Sequence, residues 1–316
     1  MPINSDKPHL WKQDIQASVD LFNRWFMRFA PKAYRNTRVK VTEYVEHALL
    51  QSLDLTNVST GLLAEHPGIL PTLRMCCCPP IARDRLIGLA GVSKSLVGCM
   101  EKGTIPPRMP KSALDENLAR IVGILDKMLD GDILPWLASK QRPTKQERRR
   151  ASTIVADRLC GASSDPIIRN AQEKRQLQLI AAYLKKNGYV QKPHPQGKLL
   201  NEMEPGTFAF RMNVVVGAER KVNIPIDIVI QLKKRRPSSL PILIEAKSAG
   251  DFTNVNKRRK EEAAKMHQLK ATYGSHVEFI LFLCGYFDSG YLGYEAAEGI
   301  DWIWEHRIED LDQLGI

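Results

Sequence analysis

Cysteine is scarce in this sequence, and no pattern organises it. Of the six cysteines, Cys76, Cys77 and Cys78 are consecutive, while Cys99, Cys160 and Cys284 are scattered. No CxxC pair occurs, so neither a disulfide framework nor a zinc ribbon is expected, and the thiols read as reduced and mostly buried. Long apolar runs are also missing; none approaches the roughly 20 residues that span a bilayer. Met1-Pro2-Ile3-Asn4-Ser5-Asp6-Lys7 lacks the apolar region of a signal peptide. A cytoplasmic location without a membrane partner is therefore expected. His267 has no partner at metal spacing and is not read as a ligand.

Acid is in short supply, and unevenly so. The chain carries 46 Lys+Arg against 35 Asp+Glu, a net charge of +11. Residues 151–275 hold 22 basic against 11 acidic side chains, whereas residues 276–316 hold 1 against 9. A positive field concentrated in one stretch fits a polyanionic partner.

Along the chain, Trp11, Ile15, Val19, Phe22, Trp25, Phe26 and Phe29 recur at helical spacing and predict a core-facing helix that Pro31 ends. A second helix is expected over Val41 to Leu53. Pro67, Pro71, Pro79 and Pro80 mark residues 66–81 as a connecting segment. Residues 83–103 look like a helix-turn-helix hairpin. Gly91 makes the turn, Ser93 caps the second helix, and Val92, Leu96 and Val97 pack it on the first. Ser93, Lys94 and Ser95 then stand where such a motif meets DNA, though a plain helical hairpin has the same pattern. Leu114 to Leu137 is a further amphipathic helix or pair. The charge run Arg142 to Arg150 marks a domain boundary. Asp165 and Pro166 signal a helix start, running to about Asn187, with Glu173 on the stripe of Leu177, Ile180 and Leu184.

The chemistry concentrates in residues 222–247. Val222 to Ile230 and Leu240 to Lys247 read as two apolar strands flanking a basic, proline-containing loop. Each carries an acid, Asp227 and Glu245, where an acid is expensive unless it is paired, metal-bound or protonated. If the strands are neighbours, the two carboxylates converge, with Lys247 two residues on. Two hard carboxylates suit Mg²⁺, which keeps several waters and grips phosphate oxygens. The plainer alternative is a surface Asp and an exposed Glu–Lys pair. Lys257, Arg258, Arg259 and Lys260 open the next helix as candidate phosphate contacts, with Glu261 and Lys265 as an i,i+4 pair. Val277 to Cys284 is a buried strand, giving an α-β-β-β-α-β order.

Pro225-Ile226-Asp227 and Glu245-Ala246-Lys247 resemble the PD-(D/E)XK nuclease motif, with one extra residue between Pro225 and Asp227. Longer stretches resemble the XamI-type Type II restriction endonucleases of that superfamily. They include Asp84-Arg85-Leu86-Ile87-Gly88-Leu89-Ala90-Gly91, Asp165-Pro166-Ile167-Ile168-Arg169-Asn170-Ala171-Gln172-Glu173 and Asn256-Lys257-Arg258-Arg259-Lys260-Glu261-Glu262. The resemblance implies an α+β protein. Residues 1–145 would form a helical DNA-recognition and clamp domain, and residues 146–316 a nuclease core with a mixed central sheet. It implies Mg²⁺ held by Asp227, Glu245 and the Ala246 carbonyl, Lys247 at the attacking water, and Glu173 as an additional acid. It further implies a homodimer cutting a short palindrome in double-stranded DNA, and a methyltransferase partner. A DNA-binding regulator with a vestigial nuclease domain, or a repair or junction-resolving nuclease, is the alternative.

Overall fold

The structure is a computed structural model. It describes residues 2–193, 200–217, 221–234, 240–252 and 255–316, without the side chains of residues 255–258. The basic loop expected between the strands at 222–230 and 240–247 thus lies partly outside the described residues. The chain divides into two compact units, residues 30–168 and residues 1–29 with 169–316. Two long helices, α1 (Pro8–Gln51) and α8 (Lys145–Lys186), each contribute to both.

Neither helix obeys its local stop signal. Pro31 lies inside α1. An interior proline removes one backbone hydrogen bond and crowds the preceding turn, at about 3 kcal/mol. Burial on both sides offsets this, with Phe22 and Ala30 before it and Val41, Val45, Ala48 and Leu49 after it. The aromatic stripe is only partly core, since Phe26 remains 40% exposed. Asp165 and Pro166 likewise fall within α8 rather than at its start. The start is a capping box further upstream. Glu147 N donates to Thr144 Oγ1 at 3.2 Å, and Thr144 N donates to Glu147 Oε2 at 2.8 Å. The Arg142–Arg150 run is therefore helix N-terminus, and its Arg148 forms ion pairs with Glu46 and Asp54.

In the 30–168 unit, α2 (Thr60–Glu65), α3 (Leu70–Met75), α4 (Arg83–Ala90), α5 (Lys94–Met100), α6 (Lys111–Met128) and α7 (Trp136–Ser139) enclose one apolar core. Residues 66–81, expected to be a connector, hold α3, because Pro67 and Pro71 occupy first-turn positions that need no amide hydrogen. Gly91 takes φ +61° between α4 and α5, Ser93 Oγ accepts from Leu96 N at 3.1 Å, and Val92, Leu96 and Val97 are buried. Cys76 and Cys77 sit in this core.

The other unit is built on one mixed sheet. Its strands are β1 (Val190–Gln191), β2 (Thr207–Val216), β3 (Val222–Gln231), β4 (Ile242–Ala249), β5 (Phe279–Gly285) and β6 (Asp301–Trp304), in that spatial order. β2, β3 and β4 run antiparallel; β4, β5 and β6 run parallel. One face packs against Met266 and Leu269 of α9 (Val255–Tyr273), Tyr291 and Leu292 of α10 (Ser289–Ala297), and Trp11 and Ile15 of α1. The other face packs against Leu177, Ile180 and Leu184 of α8 and Ile308, Leu311 and Leu314 near the C-terminus. Together with the helical 30–168 unit, this is an α+β fold with a mixed central sheet. At the end of β5, Gly285 takes φ +104°, and a Cβ there would lie 2.1 Å from the Ala249 carbonyl oxygen. Only glycine fits that approach.

One break in the sheet positions the chemistry. On β3, Ile224, Ile226 and Val229 face the α9 layer, while Ile228 and Ile230 face the α8 layer. Strict alternation would put Ile226 and Ile228 together. β2 changes faces at the same level, with Ala209, Met212 and Val214 toward α9 and Phe208 and Phe210 toward α8. Register is unchanged across the break, Phe210 pairing with Ile228 and Met212 with Ile226. The switch is therefore centred on Arg211 and Asp227, and Arg211 has φ +52°.

Candidate active site

Asp227 sits at this break, where β3 also leaves β4. The β3–β4 ladder pairs Ile228 with Ile244 and goes no further, while β4 continues alongside β5 to Ala249. The freed backbone turns to the acid: Ala246 N donates to Asp227 Oδ2 at 2.9 Å. Burial first, then the nearby Glu245 carboxylate, push the Asp227 carboxyl up to about 6, against the pull of the Ala246 amide and Lys247. The Glu245 carboxylate thus sits close enough to oppose ionisation of Asp227.

Glu245 is buried, and its two oxygens differ. Oε1 is 2.7 Å from Lys265 Nζ and 3.2 Å from Lys247 Nζ. Oε2 is buried with no hydrogen-bond partner among the described residues. A buried carboxylate oxygen left without a donor costs free energy that a cation would recover. Lys247 Nζ also lies 3.0 Å from Glu262 Oε1, on α9. Burial pulls the Lys247 ammonium down, but Glu245 and Glu262 outweigh it, so its affinity for the proton is raised. Glu262 has no exposed surface; burial pushes its carboxyl up, with Lys247 opposing. Behind it, burial and then Glu262 push the buried Glu295 up to about 8.

Among the described residues no three His, Cys, Asp or Glu side chains gather as a metal site. Two carboxylates remain, one with a partnerless buried oxygen, in a site where they repel each other. That set suits an ion that completes its shell with water, as Mg²⁺ does.

The structure brings together Asp227, Glu245, Ala246 and Lys247, and adds residues that sequence reasoning missed. Lys265 was expected to pair with Glu261 along its helix; it reaches across to Glu245 Oε1 instead. Glu262 was one more acid in a charged run, yet it faces inward. Gln176, fully buried on α8, donates to the Lys247 carbonyl at 3.3 Å and ties β4 to the helix beneath it. Glu173 sits at the edge of the buried stripe rather than within it, 2.7 Å from Arg211 Nη2, and still acts electrostatically on Asp227. Holding a non-glycine residue such as Arg211 at φ +52° costs on the order of 1–3 kcal/mol. Arg259 lies 5.0 Å over the Tyr294 ring and Lys260 is exposed, while the side chains of Lys257 and Arg258 fall outside the described residues. Ser93, Lys94 and Ser95 are exposed in the other unit.

A mixed sheet between helical layers, with an acid on one strand and an acid and a lysine on the next, is the framework of a nuclease-type hydrolase. Comparison with known proteins narrows this. The XamI restriction endonuclease model matches residues 53–304, and the chain belongs to that family of restriction enzymes. The Type II restriction enzyme SalI of Streptomyces albus G is 55% identical over 313 residues, which is 99% of each chain. The Type II restriction enzyme XamI of Xanthomonas campestris pv. amaranthicola is 26% identical over 208 residues, 65% of this chain and 66% of that protein. No solved structure matches the chain. No helix among the described residues is long and apolar enough to cross a membrane.

Proposed function

We propose that this protein is a Type II restriction endonuclease that makes Mg²⁺-dependent, sequence-specific double-strand cuts at a short palindromic site. The observation that carries this reading is the meeting of Asp227, Glu245 and Lys247 where β3 and β4 part, with Glu245 Oε2 buried and unpartnered. The 55% identity to SalI along the whole chain supports the same class of activity.

Asp227, Glu245 and the Ala246 carbonyl hold the ion, which when bound supplies charge relief on phosphate oxygens and an activated water. Lys247, kept cationic by its two carboxylates, orients the attacking water by hydrogen bonding and offsets charge on the phosphorus oxygens. Lys265 fixes the Glu245 carboxylate, and Glu262 fixes Lys247 from the opposite side. Attack in line with the 3′ oxygen leaves a 5′-phosphate and a 3′-hydroxyl. Glu173 contributes at the mouth of the site.

Recognition is assigned to the helical region, residues 1–145, with Ser93, Lys94 and Ser95 of the hairpin toward the DNA. Lys257, Arg258, Arg259 and Lys260 hold backbone phosphates beside the nuclease core, residues 146–316. A palindrome is met most simply by a two-fold dimer, so the working form is a homodimer in the cytoplasm. Its functional partner is a methyltransferase that protects the same site.

Digestion of long plasmid DNA with and without Mg²⁺ tests the proposal. Discrete fragments with one repeated end sequence, seen only with the metal and absent for Asp227→Ala, are the expected result. Binding without cutting would point to a regulator, and structure-dependent nicking to a repair nuclease.

A further inference from the structure

We infer that Arg211 is a catalytic residue that contacts the phosphate being cut, and that Glu173 is its positioning partner. The inference rests on the nuclease reading above and adds a residue to it.

The first observation is conformational. Arg211 has φ +52° in the middle of β2; among the described residues it is the only non-glycine strand residue in the left-handed region. Neither glycine nor asparagine, which reach that region most easily, stands there. A strained backbone held by a long cationic side chain calls for a reason other than strand formation.

The second is positional. The ladder skips Arg211 and Asp227, which lie at the same level between the pairs Phe210–Ile228 and Met212–Ile226, and both strands exchange faces there. The reversal aims the Arg211 side chain differently from regular alternation. It is 66% exposed, and its Nη2 lies 2.7 Å from Glu173 Oε1. The guanidinium is thus carried one strand away from Asp227, and among the described residues its only ion-pair partner is Glu173, itself partly solvated.

The third is chemical. An exposed Arg–Glu pair contributes little to stability and needs no left-handed backbone to form. A guanidinium beside a phosphodiester site has a specific use, because its planar fork matches two phosphate oxygens and its charge never leaves. It stabilises the additional negative charge that develops as water attacks. Glu173 holds the fork in place until a phosphate arrives and orients it afterwards. The acid on α8 thus acts through Arg211 rather than directly on a metal.

Four full-length proteins test this: wild type, Arg211→Gly, Arg211→Lys and Asp227→Ala. Each is assayed for cleavage of plasmid DNA with Mg²⁺, for binding of the same DNA with Ca²⁺, and for thermal melting. Glycine accepts φ +52° without strain, so Arg211→Gly should melt at or above the wild-type temperature. It should nonetheless cut at least about 100-fold more slowly, with DNA affinity reduced less than about tenfold, so that the loss falls on turnover. Arg211→Lys, which keeps the charge and loses the fork, should recover part of the rate. Two results overturn the proposal: Arg211→Gly cutting within about threefold of wild type, or a slow Arg211→Gly that also melts low while Arg211→Lys is fully active. If the wild type itself fails to cut, as Asp227→Ala does, the nuclease reading fails, and this inference with it.

Discussion

The two compact units differ where they bury charge most densely, although the sheet unit also pairs buried Asp14 and Asp310 with Arg307 and buried Glu305 with Arg175. In the helical unit each buried ion has a dedicated partner of opposite sign. Arg74 pairs with Glu101 and donates to the Ile81 carbonyl; Asp130 pairs with Arg158 at 3.1 Å, and Arg158 also donates to the Met75 and Cys77 carbonyls. In the sheet unit, Asp227, Glu245, Glu262 and Glu295 crowd together, and burial with mutual repulsion raises Asp227, Glu262 and Glu295. The first arrangement fits stability. The second is a poor way to hold a sheet together, and its logic is that of a site waiting for positive charge.

This contrast can be broken by experiment. The largest effect belongs to Asp227→Ala. It should reduce cleavage by about 10³-fold or more while leaving metal-free melting unchanged or higher, since a crowded half-buried acid has gone. Arg158→Ala should do the reverse. Stranding buried Asp130 costs about 3–5 kcal/mol of stability, read in a denaturant titration, while the turnover of the protein that stays folded is retained. If both variants lose stability and activity together, the division of labour between the units is wrong.

Glu262→Gln is the next test. Without the second carboxylate, Lys247 keeps its charge less firmly and loses one fixed anchor. Turnover should fall about 10–100-fold with little change in DNA affinity, and Glu262→Asp should recover part of it. An unchanged turnover would leave Glu262 as packing alone.

The last test concerns pH. The Glu295 carboxyl sits at about 8, well above its ordinary value, through burial and then through Glu262, with Tyr291, Glu298 and Arg259 also acting on it. A raised carboxyl stabilises the fold while protonated, and that contribution is lost as pH rises through the folded-state value. Wild type should therefore lose on the order of a few kcal/mol between pH 6 and pH 9 through this group. Glu295→Gln should flatten the loss, its melting advantage over wild type growing from pH 6 to pH 9. Parallel melting curves would show that Glu295 does not carry the dependence.

Much of the sheet unit was legible in the sequence, because β-branched runs interrupted by single acids leave few alternatives. Asp227, Glu245 and Lys247 stood out for that reason. Lys265, Glu262 and Arg211 did not. Lys265 and Glu262 act through the packing of α9 over β4, and a local reading offered Lys265 a helical neighbour, Glu261, instead. Arg211 gave no sign, since its backbone reversal uses none of the residues that usually announce one. The helix ends failed for a related cause. Pro31 and Pro166 are strong local stops, but burial along both halves of α1 and the capping box at Thr144 outweigh them.

The most direct test of the account is thermal melting with and without a divalent cation, comparing wild type with Glu245→Gln. A cation shared by Asp227 and Glu245 stabilises the folded protein by about 2.7 kcal/mol at 100 times its dissociation constant. Wild type should melt higher in Mg²⁺ or Ca²⁺, and Glu245→Gln should not respond. Equal shifts in both proteins, or none in wild type, would contradict the claim that these two acids were brought together to hold an ion.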